Sequence, residues 1–293
     1  MHCVLSSPGA RIMRVLLLLS AVAAIVIPSV AAAQAILVAP QGVVLTNRER
    51  TGTVELYNPS SRPTEISIRP VYGHPTTTPD GDLTLEIIEN PSASEPSAAG
   101  FVEAFPRRLV LQPNQRQTVR LLARPPVGLP DGEYWARMII SARDAEPPAG
   151  SAGDTAGVTI GLTLEVRTII AVNYRNGVQR TGVQLGELAA STTPDSLILR
   201  APMQRTCTAA WIGLTTVRLL NADNAVIATQ TLQTAVYQSL SPRFAFDRRA
   251  LLAGQYRLSV DLSTDRPDVM QATLLRAPPQ HAETVVTVPP AGR

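Results

Sequence analysis

Residues 158–174, VTIGLTLEVRTIIAVNY, alternate for longer than any other part of the chain. Val158, Ile160, Leu162, Leu164, Val166, Ile170, Val172 and Tyr174 share one parity, and Thr159, Gly161, Thr163, Glu165 and Arg167 take the other. Side chains alternate across a strand with a period of two, so the pattern predicts one long β-strand with an apolar face and a mostly polar face. At about 3.3 Å per residue it spans on the order of 55 Å, well past a usual strand of roughly five to six residues. A strand of that length either crosses between two domains or offers its edge to something else.

The rest of the chain supplies partners for such a strand. Val, Ile, Leu and Thr are abundant, 25 prolines and 18 glycines punctuate them, and no window sustains a helical period, so the fold class is all-β. Residues 36–47, ILVAPQGVVLTN, predict a first strand that kinks at Pro40 and Gly42 and changes partner midway. Strands follow at 51–58 and 64–71, the latter losing its central character at Pro70. A polar loop at 73–82 (GHPTTTPDGD), a short strand at 83–87, a mobile loop at 90–100, and strands at 105–111, 116–123 and 133–142 complete the set. Seven or so short strands with frequent turns predict an immunoglobulin-like β-sandwich over 34–175. A flexible loop at 144–157 leads into the long strand, and RNGVQRTG after Tyr174 marks a boundary. Strands at 196–200, 208–220, 225–232, 243–246, 256–262 and 270–275 predict a second sandwich over 176–277, and the Pro-rich tail 278–293 is expected to fray.

Residues 1–33 read as a cleaved signal peptide. Arg11 and Arg14 give a positive start, 15–27 (VLLLLSAVAAIVI) an apolar run too short to span a bilayer well, and Ala31-Ala32-Ala33 a cleavage site; Met13 is an alternative start to Met1. The expectation is an exported, periplasmic chain without stable membrane insertion. Export removes Cys3 and leaves Cys207 alone, read as a small buried hydrophobe, so stability rests on buried cores. Every basic residue is arginine, and without Arg11 and Arg14 the chain comes within about one charge of neutrality, which gives no nucleic-acid footprint.

Chemistry-bearing patterns are missing where an enzyme would show them. Only His74 and His281 remain after export, and no HxH, CxxC or HExxH spacing occurs, so neither a metal nor a cofactor is expected. There is no GxSxG elbow and no phosphate loop. Asp80-Gly81-Asp82 reads as a solvated turn rather than a calcium loop. The carboxylate pairs Glu86 with Glu89 and Asp131 with Glu133 read as solvated strand ends, and the chain is not expected to be an enzyme. Trp211 is expected in the second core, while Trp135 sits on the face opposite Tyr134 and has no assigned role.

The run LVAPQGVVL, VELYNPSSRPTEISI, FPRRLVLQPNQRQTVRLL, LPDGEYWARMII over residues 36–174 resembles the N-terminal domain of periplasmic pilus-assembly chaperones of the PapD type. The matching positions are Asn58 at a strand end, Phe105-Pro106 with Leu111 to Arg120, and Asp131 to Tyr134. The resemblance implies a chaperone that stabilises pilin-like subunits, with an outer-membrane usher as a second partner, by lending its seventh strand to an incomplete immunoglobulin-like subunit. Val158, Ile160, Leu162, Leu164 and Val166 would be the subunit-binding side chains. The alternative is a secreted structural or adhesive module in which that strand is internal. The family also holds the subunit's terminal carboxylate with two basic residues, and the matching positions here, Gln41 or Gly42 and Ala171, are not basic. Arg167 and Arg48 are then the candidate carboxylate anchors.

Overall fold

Proline lacks an amide hydrogen and cannot continue a ladder, and the first strand divides at Pro40 as that predicts. The computed structural model describes residues 36–145 and 164–290, and in it the segment before Pro40 joins one sheet and the segment after it joins another. The signal-peptide reading of 1–33 falls outside the described residues, as does the loop 144–157 from residue 146 onward.

The first half contributes β1 (Leu37–Ala39), β2 (Gly42–Thr46), β3 (Thr51–Tyr57), β4 (Thr64–Thr77), β5 (Leu83–Ile88), β6 (Val102–Phe105), β7 (Arg108–Leu111), β8 (Arg116–Ala123), β9 (Gly132–Asp144) and β10 (Glu165–Asn176). One sheet has the order β1-β3-β8-β6; the other has the order β2-β10-β9-β4-β5, with β7 also on β4. Leu45, Leu56, Ile66, Leu111, Leu121, Met138 and Ile170 fill the space between them. On β10, Ile170, Val172 and Tyr174 are buried, as their parity requires.

Two expectations for this half are corrected. The first half of the polar loop at 73–82 is strand: β4 runs through Pro70, pairs with β9 up to Val71, then exchanges it for β5 from Tyr72 to Thr77. Proline therefore marks a change of partner rather than an end. Segment 90–100 is tied down rather than mobile, because the Ala98 amide donates to the Trp135 carbonyl (2.8 Å), the Trp135 amide donates to the Pro96 carbonyl (2.7 Å), and Ala98 is buried.

The second half is again sandwich-like. Its strands are β11 (Val183–Leu185), β12 (Ala189–Thr192), β13 (Ser196–Arg200), β14 (Met203–Arg205), β15 (Trp211–Leu220), β16 (Val226–Val236), β17 (Ser239–Leu240), β18 (Arg243–Asp247), β19 (Gly254–Ser263) and β20 (Gln280–Val288). The sheet β16-β15-β19-β20 supplies Val217, Leu219, Leu258 and Val260 to a core shared with Leu197, Leu199, Phe244 and Phe246 of the small sheet β12-β13-β18 and with Val183, Met203 and Leu240 of β11-β14-β17. Trp211 lies in this core, as expected. The strand expected at 270–275 is a turn, and the tail expected to fray instead forms β20, paired with β19 along its whole length. Alternation in HAETVVTV supplies Val286 and Val288 to the core, which outweighs the flanking prolines. Cys207 is half-exposed rather than buried, since it sits in the bend after β14.

On β20, His281 stands directly across from Asp261, and its Nδ1 lies 2.8 Å from Oδ1 of that carboxylate. The hydrogen bond that the ring donates to Asp261 raises the imidazole above its usual range, and Glu283 adds to the effect. A raised value in the folded state means that its contribution to stability is present below the unfolded imidazole value of about 6.5 and fades as pH rises through the folded one. In Asp261→Asn the His281 titration should move toward the ordinary value, measured by NMR of the imidazole protons; an unchanged midpoint would refute the pairing.

Candidate functional site

Two features of β10 define the site. Over Ala171–Arg175 the strand is flanked on both sides, by β9 and by the parallel β2. Over Glu165–Ile170 it has β9 on one side and, among the described residues, no strand on the other. Upstream, the Pro40 switch sends β1 to the opposite sheet, where it pairs with β3 instead of continuing β2 along this half of the edge. The uncovered half carries exposed apolar side chains, with Leu164 at 64% and Ile169 at 36% of their free area, and Val166 half-buried. An open, extended edge with apolar side chains beside it is a template for another strand.

Of the strand positions singled out in the sequence, Leu164 and Val166 are placed beside this edge, and Val158, Ile160 and Leu162 lie outside the described residues. Arg167 points to solvent and is tied to Glu165 (Nε to Oε1, 2.8 Å), which raises its guanidinium further above its ordinary value. Arg48 is exposed in the turn after β2, its amide bonded to Thr46 Oγ1 (3.3 Å). In the register of the sheet, Ala171 faces Gly42 on one side and Arg137 of β9 on the other. Arg137 is only 5% exposed; its Nε donates to the Gly73 carbonyl (3.0 Å), its guanidinium lies 4.5 Å from the Tyr237 ring centre, and its buried Nη2 has no hydrogen-bond partner.

Arg137 belongs to a polar junction that joins the two sandwiches, which lie in one compact unit. At its centre is Glu133, whose side chain is fully buried. Its Oε1 accepts from Trp135 Nε1 (3.1 Å), Asn173 Nδ2 (3.1 Å) and the Ala210 amide (3.2 Å), and its Oε2 accepts from Arg175 Nε (2.7 Å). Arg175 Nη1 continues to the Thr273 carbonyl (2.7 Å), and Tyr237 Oη donates to Asn173 Oδ1 (3.2 Å). Trp135, Tyr72, Ala210 and Tyr237 form a small apolar cluster beside it, with Trp135 edge-on to Tyr237 at 4.8 Å. Arg205 stacks 5.2 Å from the Trp135 ring centre, and burial lowers its guanidinium from the ordinary value.

A second attachment comes from the β4–β5 hairpin. The Arg243 amide donates to the Gly81 carbonyl (3.0 Å), the Ser241 amide to Thr77 Oγ1 (3.0 Å), and Arg200 Nη2 to the Pro79 carbonyl (2.8 Å). Gly81 has φ +85° and lies so close to Arg200 that a Cβ would collide with the guanidinium, so the hairpin tip requires glycine.

Sequence reasoning took Glu133 for a solvated strand end, and the structure reverses that reading. Nothing local signals its burial, because its partners lie as far away as Ala210. The same distance in sequence hid Arg137, Arg205 and Tyr237. Trp135, with no assigned role from the sequence, proves to be the aromatic wall of the junction.

No protein-family model and no curated protein matches the chain. Solved structures similar to it are pilus and fimbrial chaperones. They include the YadV chaperone, 13% identical over 86% of this chain and 99% of that chain, with TM-score 0.41. A chain of the CsuC–CsuE chaperone–tip adhesion subunit complex from Acinetobacter baumannii is 12% identical over 85% of this chain and 97% of that chain, with TM-score 0.43. The E. coli chaperone DraB is 14% identical over 78% and 91%, with TM-score 0.37.

Removing the Glu133 carboxylate leaves Arg175, Asn173 and the Trp135 indole without their acceptor. Glu133→Ala should therefore cost about 3–5 kcal/mol, the usual penalty for breaking a buried pair. Urea denaturation checks this; a loss no larger than that of an exposed substitution would show that the junction is not a structural hub.

Proposed function

We propose that the chain is a periplasmic chaperone-like protein that holds a partner β-sandwich subunit by strand addition along the uncovered half of β10. The observation that carries this reading is the one-sided pairing of Glu165–Ile170, with Leu164 and Ile169 exposed next to open backbone groups. Backbone pairing supplies affinity that does not depend on partner sequence, and alternate side chains select the groove they enter. The residue pattern 36–174 and the leader-like 1–33 point to the same class of protein and the same compartment. In this reading Leu164 and Val166, continued by Val158, Ile160 and Leu162, enter the partner.

The test is capture from periplasm by the tagged chain. Burying one leucine-sized side chain is worth roughly 1.5–3 kcal/mol, so Leu164→Glu with Val166→Glu should weaken capture at least about tenfold. Circular dichroism and thermal unfolding should remain near wild type, because Leu164 is exposed and Val166 is only half-buried. Equal capture by both forms sinks the proposal.

Within the same reading we assign the carboxylate anchor to Arg137. Its register partner on β10 is Ala171, the position at which the family resemblance calls for a cation. A peptide of the captured partner's last strand should bind more tightly as the free acid than as the amide. Arg137→Gln should abolish that difference while leaving the amide's affinity nearly unchanged. If the preference for the free acid survives, Arg137 is not the anchor.

A further inference from the structure

Arg137 lies on the first sandwich, yet the side chain that stacks on it comes from the second. Tyr237 directly follows β16; Val236 before it stays in the second core, while Tyr237 turns its ring toward the first sandwich and is 2% exposed there. The ring meets Trp135, Asn173 and Arg137 on the face of β9 and β10 turned away from the first core. It lies edge-on to Trp135 at 4.8 Å, its Oη donates to Asn173 Oδ1 (3.2 Å), and the Arg137 guanidinium stands 4.5 Å from its centre. Asn173 is the register partner of Trp135, and Ala171 that of Arg137, so one ring spans two adjacent rows of the sheet. Behind it, the Arg205 guanidinium donates to the Tyr237 carbonyl and stacks on Trp135. The ring is thus held at its edge, its hydroxyl and its backbone.

Resting on the assignment of Arg137 as the carboxylate anchor, we infer that Tyr237 is its positioning residue, so that the second sandwich supplies a working part of the partner site on the first. The contrast with Arg175 carries the point. Arg175 is held by the Glu133 carboxylate (2.7 Å), which cancels its charge. Arg137 is held by the Gly73 carbonyl (3.0 Å) and by the Tyr237 ring, and both are neutral. An aromatic face attracts a guanidinium through its quadrupole and fixes the plane of the fork without neutralising it. A long side chain pinned at Nε alone would retain torsional freedom at its far end, and ordering it would weaken any bond it made. The ring removes that freedom in advance and leaves the positive charge to act on a carboxylate.

NMR of the exported chain tests this, with N-acetylalanine and N-acetylalaninamide as the free-acid and amide probes and the Arg137 Nε–H resonance as the reporter. Wild type should bind the acid about tenfold more tightly than the amide, the scale expected of one desolvated charge-assisted contact. Tyr237→Phe keeps the ring and should keep the preference. Tyr237→Leu removes the ring; the preference should fall toward one, and the Nε–H resonance should move toward that of an unrestrained arginine. Because Tyr237→Leu also removes a large buried side chain, phenylalanines bearing increasing numbers of ring fluorines at position 237 provide a second series of nearly constant shape and weakening ring face. The preference should decline stepwise along it. A preference indifferent to fluorination, or an Nε–H resonance unmoved in Tyr237→Leu, overturns the positioning role. A preference that is absent in wild type or survives Arg137→Gln overturns the anchor and with it this use of Tyr237, while the Nε–H resonance separately reports whether the ring orders Arg137.

Discussion

A carboxylate shut away from water is tolerated only if its lone pairs are occupied, and Glu133 meets that condition with donors from both sandwiches. The Ala210 amide belongs to the second sandwich, while Trp135, Asn173 and Arg175 belong to the first. The two halves are thereby held in one arrangement, since any sliding along the seam would strip a partner from a buried charge. Arg175 carries the constraint further, to the Thr273 carbonyl, and the β4–β5 hairpin repeats it at a second point through Gly81 and Arg243. Two separate attachments resist rotation in a way that one cannot.

This has a consequence for β10. Asn173 and Arg175, the donors to Glu133, sit on the half of β10 that is paired on both sides. The same strand is thus fixed at one end by a buried ionic network and, among the described residues, paired on one side only along the other. Tyr174 and Val172 bury their side chains in the core while Leu164 and Ile169 remain exposed, so a single alternating sequence serves as interior and as edge. What separates the two uses is the partner strand, which ends at Gly42 because β1 crosses to the opposite sheet at Pro40.

That division was legible in the sequence to an unusual degree. Proline at 40 inside an apolar run signals a break in pairing, and strict parity from Ile170 to Tyr174 signals a buried face. The failures share a cause. The strand β20 was missed because prolines on either side outweighed five residues of alternation, and β4 was cut short at Pro70 because the rule for proline in a central strand does not foresee an exchange of partners. Glu133 and Arg137 were missed for another reason. A buried ionisable group is identified by its partners, and those partners come from strands as far away as β16's end and the turn before β15, a pairing that no local window contains.

The open half of β10 and the edge of β16 present the same backbone chemistry with opposite side-chain settings. β10 places Glu165 and Arg167 beside its open groups, and these two charges neutralise each other along the strand. β16 itself carries no charge, and its glutamines are spent within the chain, Gln230 on the Ala245 carbonyl (2.7 Å) and Gln233 on Asp268 (3.3 Å). The Glu133 carboxylate bonds both to Asn173 on the paired half of β10 and to the Ala210 amide of the second sandwich, so the strand that carries the unpaired half is tied directly to the other sandwich.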